Sequence, residues 1–154
     1  MRFVICTVVL AIILAAFENV ALSYQKIDLP GIRPQKKKEQ LAPVEFITPE
    51  ELMAKIANNE HLSIVDLRAQ SAFEQSDKTI KGSFHSRVRK VAYRLREHPR
   101  DQAIITYCAC PGDEAAIMAA RNLRSNGFTR VRVLQGGWNA WLKAGGQVQP
   151  RLRL

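Results

Sequence analysis

From Val44 onward, short apolar runs of strand length alternate with segments whose apolar residues repeat at helical spacing. Val44-Glu45-Phe46-Ile47 predicts a short strand. Thr48-Pro49-Glu50-Glu51 predicts a helix start, with Thr48 as N-cap, Pro49 at the first helical position and Glu51 closing a capping box. That helix turns Leu52 and Ile56 inward, with Met53 or Ala57 beside them, and ends near Asn58-Asn59. Leu62 to Asp66 predicts a second strand that stops on a carboxylate. Ser71 to Glu74 predicts a helical turn, and Gly82 to His85 a short extended segment.

Val88, Val91, Ala92 and Leu95 then recur at helical spacing within Arg87–Glu97, with basic residues on the opposite face. Ala103 to Tyr107 is almost continuously apolar, as a strand buried on both faces requires. The helix that follows presents Ala116, Ala120 and Leu123 and stops at Asn126-Gly127. Val131 to Leu134 is another strand. Gly136-Gly137 turns the chain into a last helix through Trp138-Asn139-Ala140-Trp141-Leu142, ended by Gly145-Gly146. Strands alternating with helices predict an α/β fold, a mostly parallel sheet with helices on both faces. In such folds ligands sit beyond the carboxyl ends of the strands.

Three segments flank or precede this pattern. The apolar run Phe3 to Phe17 has Arg2 before it and Glu18-Asn19 after it. It is short for a membrane span, which needs about 20 residues. It suits a secretory signal over residues 1–23, with Ala21-Leu22-Ser23 as cleavage site before Tyr24. The expectation is export to a periplasmic or extracellular, oxidising compartment. The alternative is an uncleaved anchor, the chain's one expected membrane contact. Residues 24–43, Pro- and Lys-rich around Lys36-Lys37-Lys38, read as a basic linker, and residues 148–154 as a short basic tail.

The net charge is +9, and loss of residues 1–23 removes one Arg and one Glu and leaves it at +9. Arg87, Arg89, Lys90, Arg94, Arg96 and Arg100 form a second basic zone. No aromatic interleaving or nucleic-acid motif accompanies it, so no nucleic-acid partner is expected. Three cysteines cannot build a disulfide framework.

The chemistry concentrates in Cys108-Ala109-Cys110-Pro111-Gly112-Asp113-Glu114, the loop from the central strand to the next helix. A thiol there faces backbone N–H groups and the positive end of a helix dipole, conditions that favour a reactive thiolate. The plainer alternative is a buried structural cysteine. Cys110 makes a Cys-x-Cys pair that can form a disulfide, relay a sulfur, bind a soft metal or be inert. No further Cys or His gathers nearby in sequence, so neither metal nor cofactor is expected. Asp66 and Arg68 read as a hydrogen-bonded brace, and His85 as a structural polar residue near the sheet mouth.

Over residues 44–147 the order of landmarks resembles a single rhodanese-like domain. The matching pieces are Ile64 to Arg68, Ile80 to His85, Ile105 to Cys108, Gly127-Phe128 and Val131 to Trp141. The resemblance implies a three-layer α/β sandwich and sulfur transfer. Cys108 would take sulfane sulfur from a small donor such as thiosulfate, become a persulfide, and pass the sulfur to cyanide or a thiol. A protein thiol is a further candidate acceptor. The alternative is a catalytically weak module that binds a partner or senses redox state through Cys108 and Cys110. The loop departs from the family pattern. It lacks the Arg at its far end and the Ser after it, and Asp113 and Glu114 would repel an anionic donor. Phosphatases of related architecture need that same Arg at position 114, where Glu114 stands.

Overall fold

The computed structural model describes residues 43–151, so the expected signal and nearly all of the expected linker lie outside the described residues. The strands are β1 (Glu45–Ile47), β2 (Leu62–Asp66), β3 (Lys78–Ile80), β4 (Ser83–His85), β5 (Ala103–Tyr107), β6 (Val131–Leu134) and β7 (Val148–Pro150). The helices are α1 (Pro49–Ala57), α2 (Gln70–Gln75), α3 (Val91–Arg94), α4 (Glu114–Ser125) and α5 (Gly137–Lys143). Five strands form a parallel sheet in the order β1-β6-β5-β2-β4. The fold is therefore the expected α/β architecture, with β5 at the centre.

The helix start predicted at Thr48 forms as a full capping box. The Glu51 N–H donates to Thr48 Oγ1 at 3.2 Å, and the Thr48 N–H donates to Glu51 Oε2 at 3.0 Å. Leu52 is buried and Met53 and Ile56 pack beside it, while Ala57 is exposed.

Alternation along β5 divides the core into two layers. Ile104 and Cys108 belong to the cluster with Leu95, Ala116, Ala120 and Leu123, on the α3–α4 face. Ile105 and Tyr107 belong to the cluster with Leu52, Leu134, Trp138 and Trp141, on the α1–α5 face. The strand thus delivers Cys108 to the edge of the α4 layer and turns Tyr107 to the opposite one.

Two expectations change. The segment 87–97 is not one helix: a 3-10 turn (Val88–Lys90) precedes the single turn of α3. Val91 and Leu95 are buried as the spacing requires, so the apolar positions hold although the helix is broken. Residues 148–150, read as part of a tail, form β7 antiparallel to β3. Lys78-Thr79-Ile80 and Val148-Gln149-Pro150 show no apolar run of their own, and Pro150 argues against a strand until it is seen on an edge.

Candidate active site

Cys108 follows the last residue of β5, at the carboxyl end of the sheet. Its carbonyl accepts the Trp138 N–H at 2.8 Å, which fixes the cysteine loop to the start of α5. The approach is close enough to require glycine next door. A Cβ on Gly137 would overlap the Cys108 carbonyl oxygen, and Gly137 has a left-handed φ of 52°.

The loop closes on itself as a disulfide between Cys108 and Cys110, with Cα atoms 5.6 Å apart. Of the alternatives open for Cys110, the structure takes this one. The Ala115 N–H, in the first turn of α4, donates to Cys110 Sγ at 3.4 Å. The Cys110 N–H lies 3.5 Å from Cys108 Sγ. The amide at the helix start therefore serves Cys110, whereas the expectation gave such groups to Cys108. Cys108 is 1% exposed and Cys110 is half-buried.

Cys108, Ala109 and Cys110 line a cavity of about 440 Å³, together with Leu67, Arg68, His85, Ser86, Arg87 and Ala115 among others. Pro111, Gly112, Asp113 and Glu114 do not line it. Asp113 is buried and left-handed, and its Oδ2 accepts the Gly136 N–H at 2.8 Å. Glu114 is exposed at the first position of α4, where the helix dipole favours an acid. Neither carboxylate lines the cavity, so neither is placed to touch a donor bound there.

The remaining walls come from residues just past β2 and β4, of which sequence singled out Arg68 and Arg87 but not Leu67 and Ser86. Parallel neighbours end at the same level, so Leu67-Arg68 and Ser86-Arg87 flank the cysteine. The strand-end rule alone could have found them. Of Arg87, Arg89 and Arg94, the structure brings Arg87 to the cavity. Arg94 instead donates to the His85 carbonyl at 2.8 Å. His85 donates from Nε2 to the Arg68 carbonyl at 3.0 Å and stacks on Phe73 at 4.0 Å between ring centroids.

Beneath the cavity Asp66 and Arg68 form the expected brace. Arg68 Nη2 donates to Asp66 Oδ2 at 2.7 Å, and Nε donates to both carboxylate oxygens at 3.0 and 3.1 Å. The guanidinium lies 4.4 Å from the Trp138 ring centroid. Asp66 Oδ2 also accepts the Thr79 hydroxyl at 3.1 Å and the Tyr107 hydroxyl at 2.6 Å. Burial, then the Asp66 charge, holds the Tyr107 phenol well above its ordinary value. Sequence did not single out Tyr107 or Thr79, because a Tyr ending a buried strand reads as core. Among the described residues, no group of three or more His, Cys, Asp and Glu side chains gathers as metal ligands.

A parallel α/β sheet with a cysteine loop at its carboxyl edge, opening into a cavity between strand ends, defines a class of cysteine-centred sandwich domains. Within that class the chain belongs to the rhodanese-like domain family, whose profile matches residues 48–144. A rhodanese-like domain from Anabaena is 30% identical with a TM-score of 0.52, the match covering 60% of this chain and 96% of that one. A Bacillus halodurans protein is 27% identical with a TM-score of 0.60, covering 69% and 77%. A thiosulfate sulfurtransferase from Pseudomonas aeruginosa is 22% identical with a TM-score of 0.61, covering 71% of this chain and 20% of that one, a likeness of fold. No curated protein matches.

Proposed function

We propose that the reduced chain is a sulfurtransferase. Cys108 takes sulfane sulfur from a donor such as thiosulfate and passes it, as a persulfide, to cyanide or a thiol, including a protein thiol. The observation that carries the reading is the position of Cys108 at the end of the central strand, on the wall of a cavity that also holds Arg87. Arg87 is among the residues lining that cavity and its charge favours an anionic donor, while the Asp113 carboxylate is taken by the Gly136 N–H. The apolar N-terminal run supports work in an exported compartment, periplasmic or secreted, with membrane anchoring as the alternative. Thiocyanate formation from thiosulfate and cyanide, measured as an initial rate with pre-reduced protein, tests the reading. Activity is expected in the native chain and lost in Cys108→Ser; full retention in that variant overturns it.

The disulfide favours a second reading, a redox-sensing or binding module with little transferase activity. While joined to Cys110, the Cys108 sulfur is not a thiolate and cannot act as the nucleophile. No thiocyanate from fully reduced protein would shift the balance to this reading.

A further inference from the structure

We infer that Cys110 resolves the Cys108 persulfide, so that the loop reduces sulfane sulfur to sulfide and stores the oxidation as the Cys108–Cys110 disulfide. The inference rests on the sulfurtransferase reading and goes beyond it. Transfer to cyanide or an external thiol leaves both cysteines reduced at the end of a cycle. Resolution by Cys110 ends with both oxidised.

Three observations converge. The two Sγ atoms are bonded in this loop, so Cys110 reaches the inner sulfur of any persulfide formed on Cys108. The Ala115 N–H donates to Cys110 Sγ at 3.4 Å, from the first turn of a 12-residue helix, and so stabilises negative charge on that sulfur. Cys108 itself is 1% exposed and packed in the α3–α4 core layer, which hinders a bulky thiol from reaching its Sγ. The neighbour two residues away is not so hindered.

The chemistry balances. The Cys108 thiolate attacks the outer sulfur of thiosulfate, the S–S bond breaks, and sulfite leaves with the electron pair. The Cys110 thiol, losing its proton, then attacks Cys108 Sγ. The persulfide S–S bond breaks, and the outer sulfur departs with that electron pair and the proton as hydrosulfide. The donor sulfur is reduced and the two thiols are oxidised to the disulfide. An external thiol of the dithiol class resets the loop by attack on Sγ of Cys110, the more exposed residue of the two.

A single-turnover experiment decides the matter. The full chain is reduced, freed of reductant, and mixed anaerobically with thiosulfate; intact mass and released sulfide are then read together. The native chain is expected to lose two hydrogens and release stoichiometric sulfide. Cys110→Ser and Cys110→Ala are expected to stop at the persulfide, gaining one sulfur and releasing no sulfide. A native chain that keeps the added sulfur, on either cysteine, overturns the inference and leaves the sulfurtransferase reading intact. If neither the native chain nor the Cys110 variants gain sulfur or yield sulfide, the sulfurtransferase reading falls and the inference with it.

Discussion

Asp113 sits where the cysteine loop enters α4, with a φ of 57° and a buried carboxylate that accepts the Gly136 N–H. In sequence it stands beside Glu114 in the catalytic-type loop, and the two look alike. The difference comes from backbone conformation: two successive left-handed residues, Gly112 and Asp113, swing the side chain away from the cavity and onto the β6–α5 turn. Asp113→Ala leaves the Gly136 amide without its acceptor and should cost about 1–3 kcal/mol. Asp113→Asn keeps an acceptor oxygen and tolerates the left-handed backbone, so its loss should be smaller. Urea unfolding of the two variants checks the order; equal stabilities would remove Asp113 from this role. Tyr107 supplies a pH signature. Unfolded, its phenol releases a proton near pH 10.0; folded, burial and the Asp66 charge hold the proton to higher pH. The unfolded chain therefore binds fewer protons above that pH. The contribution is complete below pH 10.0 and is lost as pH rises beyond it, by up to about 1.4 kcal/mol per pH unit. Tyr107→Phe should be less stable at neutral pH yet flatter above pH 10.0, measured as the difference between the two chains' unfolding free energies.

Among the elements, those with a long or clean pattern were legible. The capping box at Thr48, the apolar run of β5 and the Ala-rich face of α4 each satisfy local and tertiary demands with the same residues. What stayed hidden was pairing across the chain. The disulfide was one of several fates open to a Cys-x-Cys pair, and the amide that binds Cys110 comes from Ala115, beyond the turn. The role of the Gly136-Gly137 pair was only half visible. A turn into α5 explains one glycine, but the second is required by the Cys108 carbonyl, which sequence cannot bring near it. Gly137→Ala tests that contact. A methyl group there must displace the cysteine loop or the start of α5, and the left-handed φ adds strain of about 1–3 kcal/mol. Lower stability with a reduced initial rate of thiocyanate formation is expected. Lower stability at an unchanged rate would mean that the loop is held by other contacts.

At the scale of the molecule, the β3–β7 ladder ties the C-terminal segment to the floor of the cavity. Ile80 faces Val148, Thr79 faces Gln149 and Lys78 faces Pro150. The Arg151 N–H donates to the Asp77 carbonyl at 2.7 Å, Arg151 Nε donates to the Ser76 carbonyl at 2.9 Å, and Gln149 Oε1 accepts the Gly82 N–H at 2.9 Å. These bonds hold β3 in place, and β3 carries the Thr79 hydroxyl that binds Asp66. Arg151 also lies over Phe73, which stacks on His85 at the cavity wall and lies under the Arg68 guanidinium. The family match ends at residue 144, so the C-terminal half of this clasp, β7 and Arg151, lies outside the segment that the family profile covers. A chain ending at Gln147 keeps the bond from Trp141 Nε1 to the Gln147 carbonyl and removes the clasp together with the Val148 side chain that packs on the α1–α5 layer. With several hydrogen bonds lost at about 1 kcal/mol each, stability should fall by a few kcal/mol. Amide exchange should quicken over residues 76–82 before it quickens in β5, because β5 is paired on both sides by β2 and β6. Uniform quickening across the sheet would show instead that the clasp supports the whole core and has no special hold on the cavity floor. Unchanged exchange over 76–82 would show that β3 is held by Thr79 and Tyr107 from within.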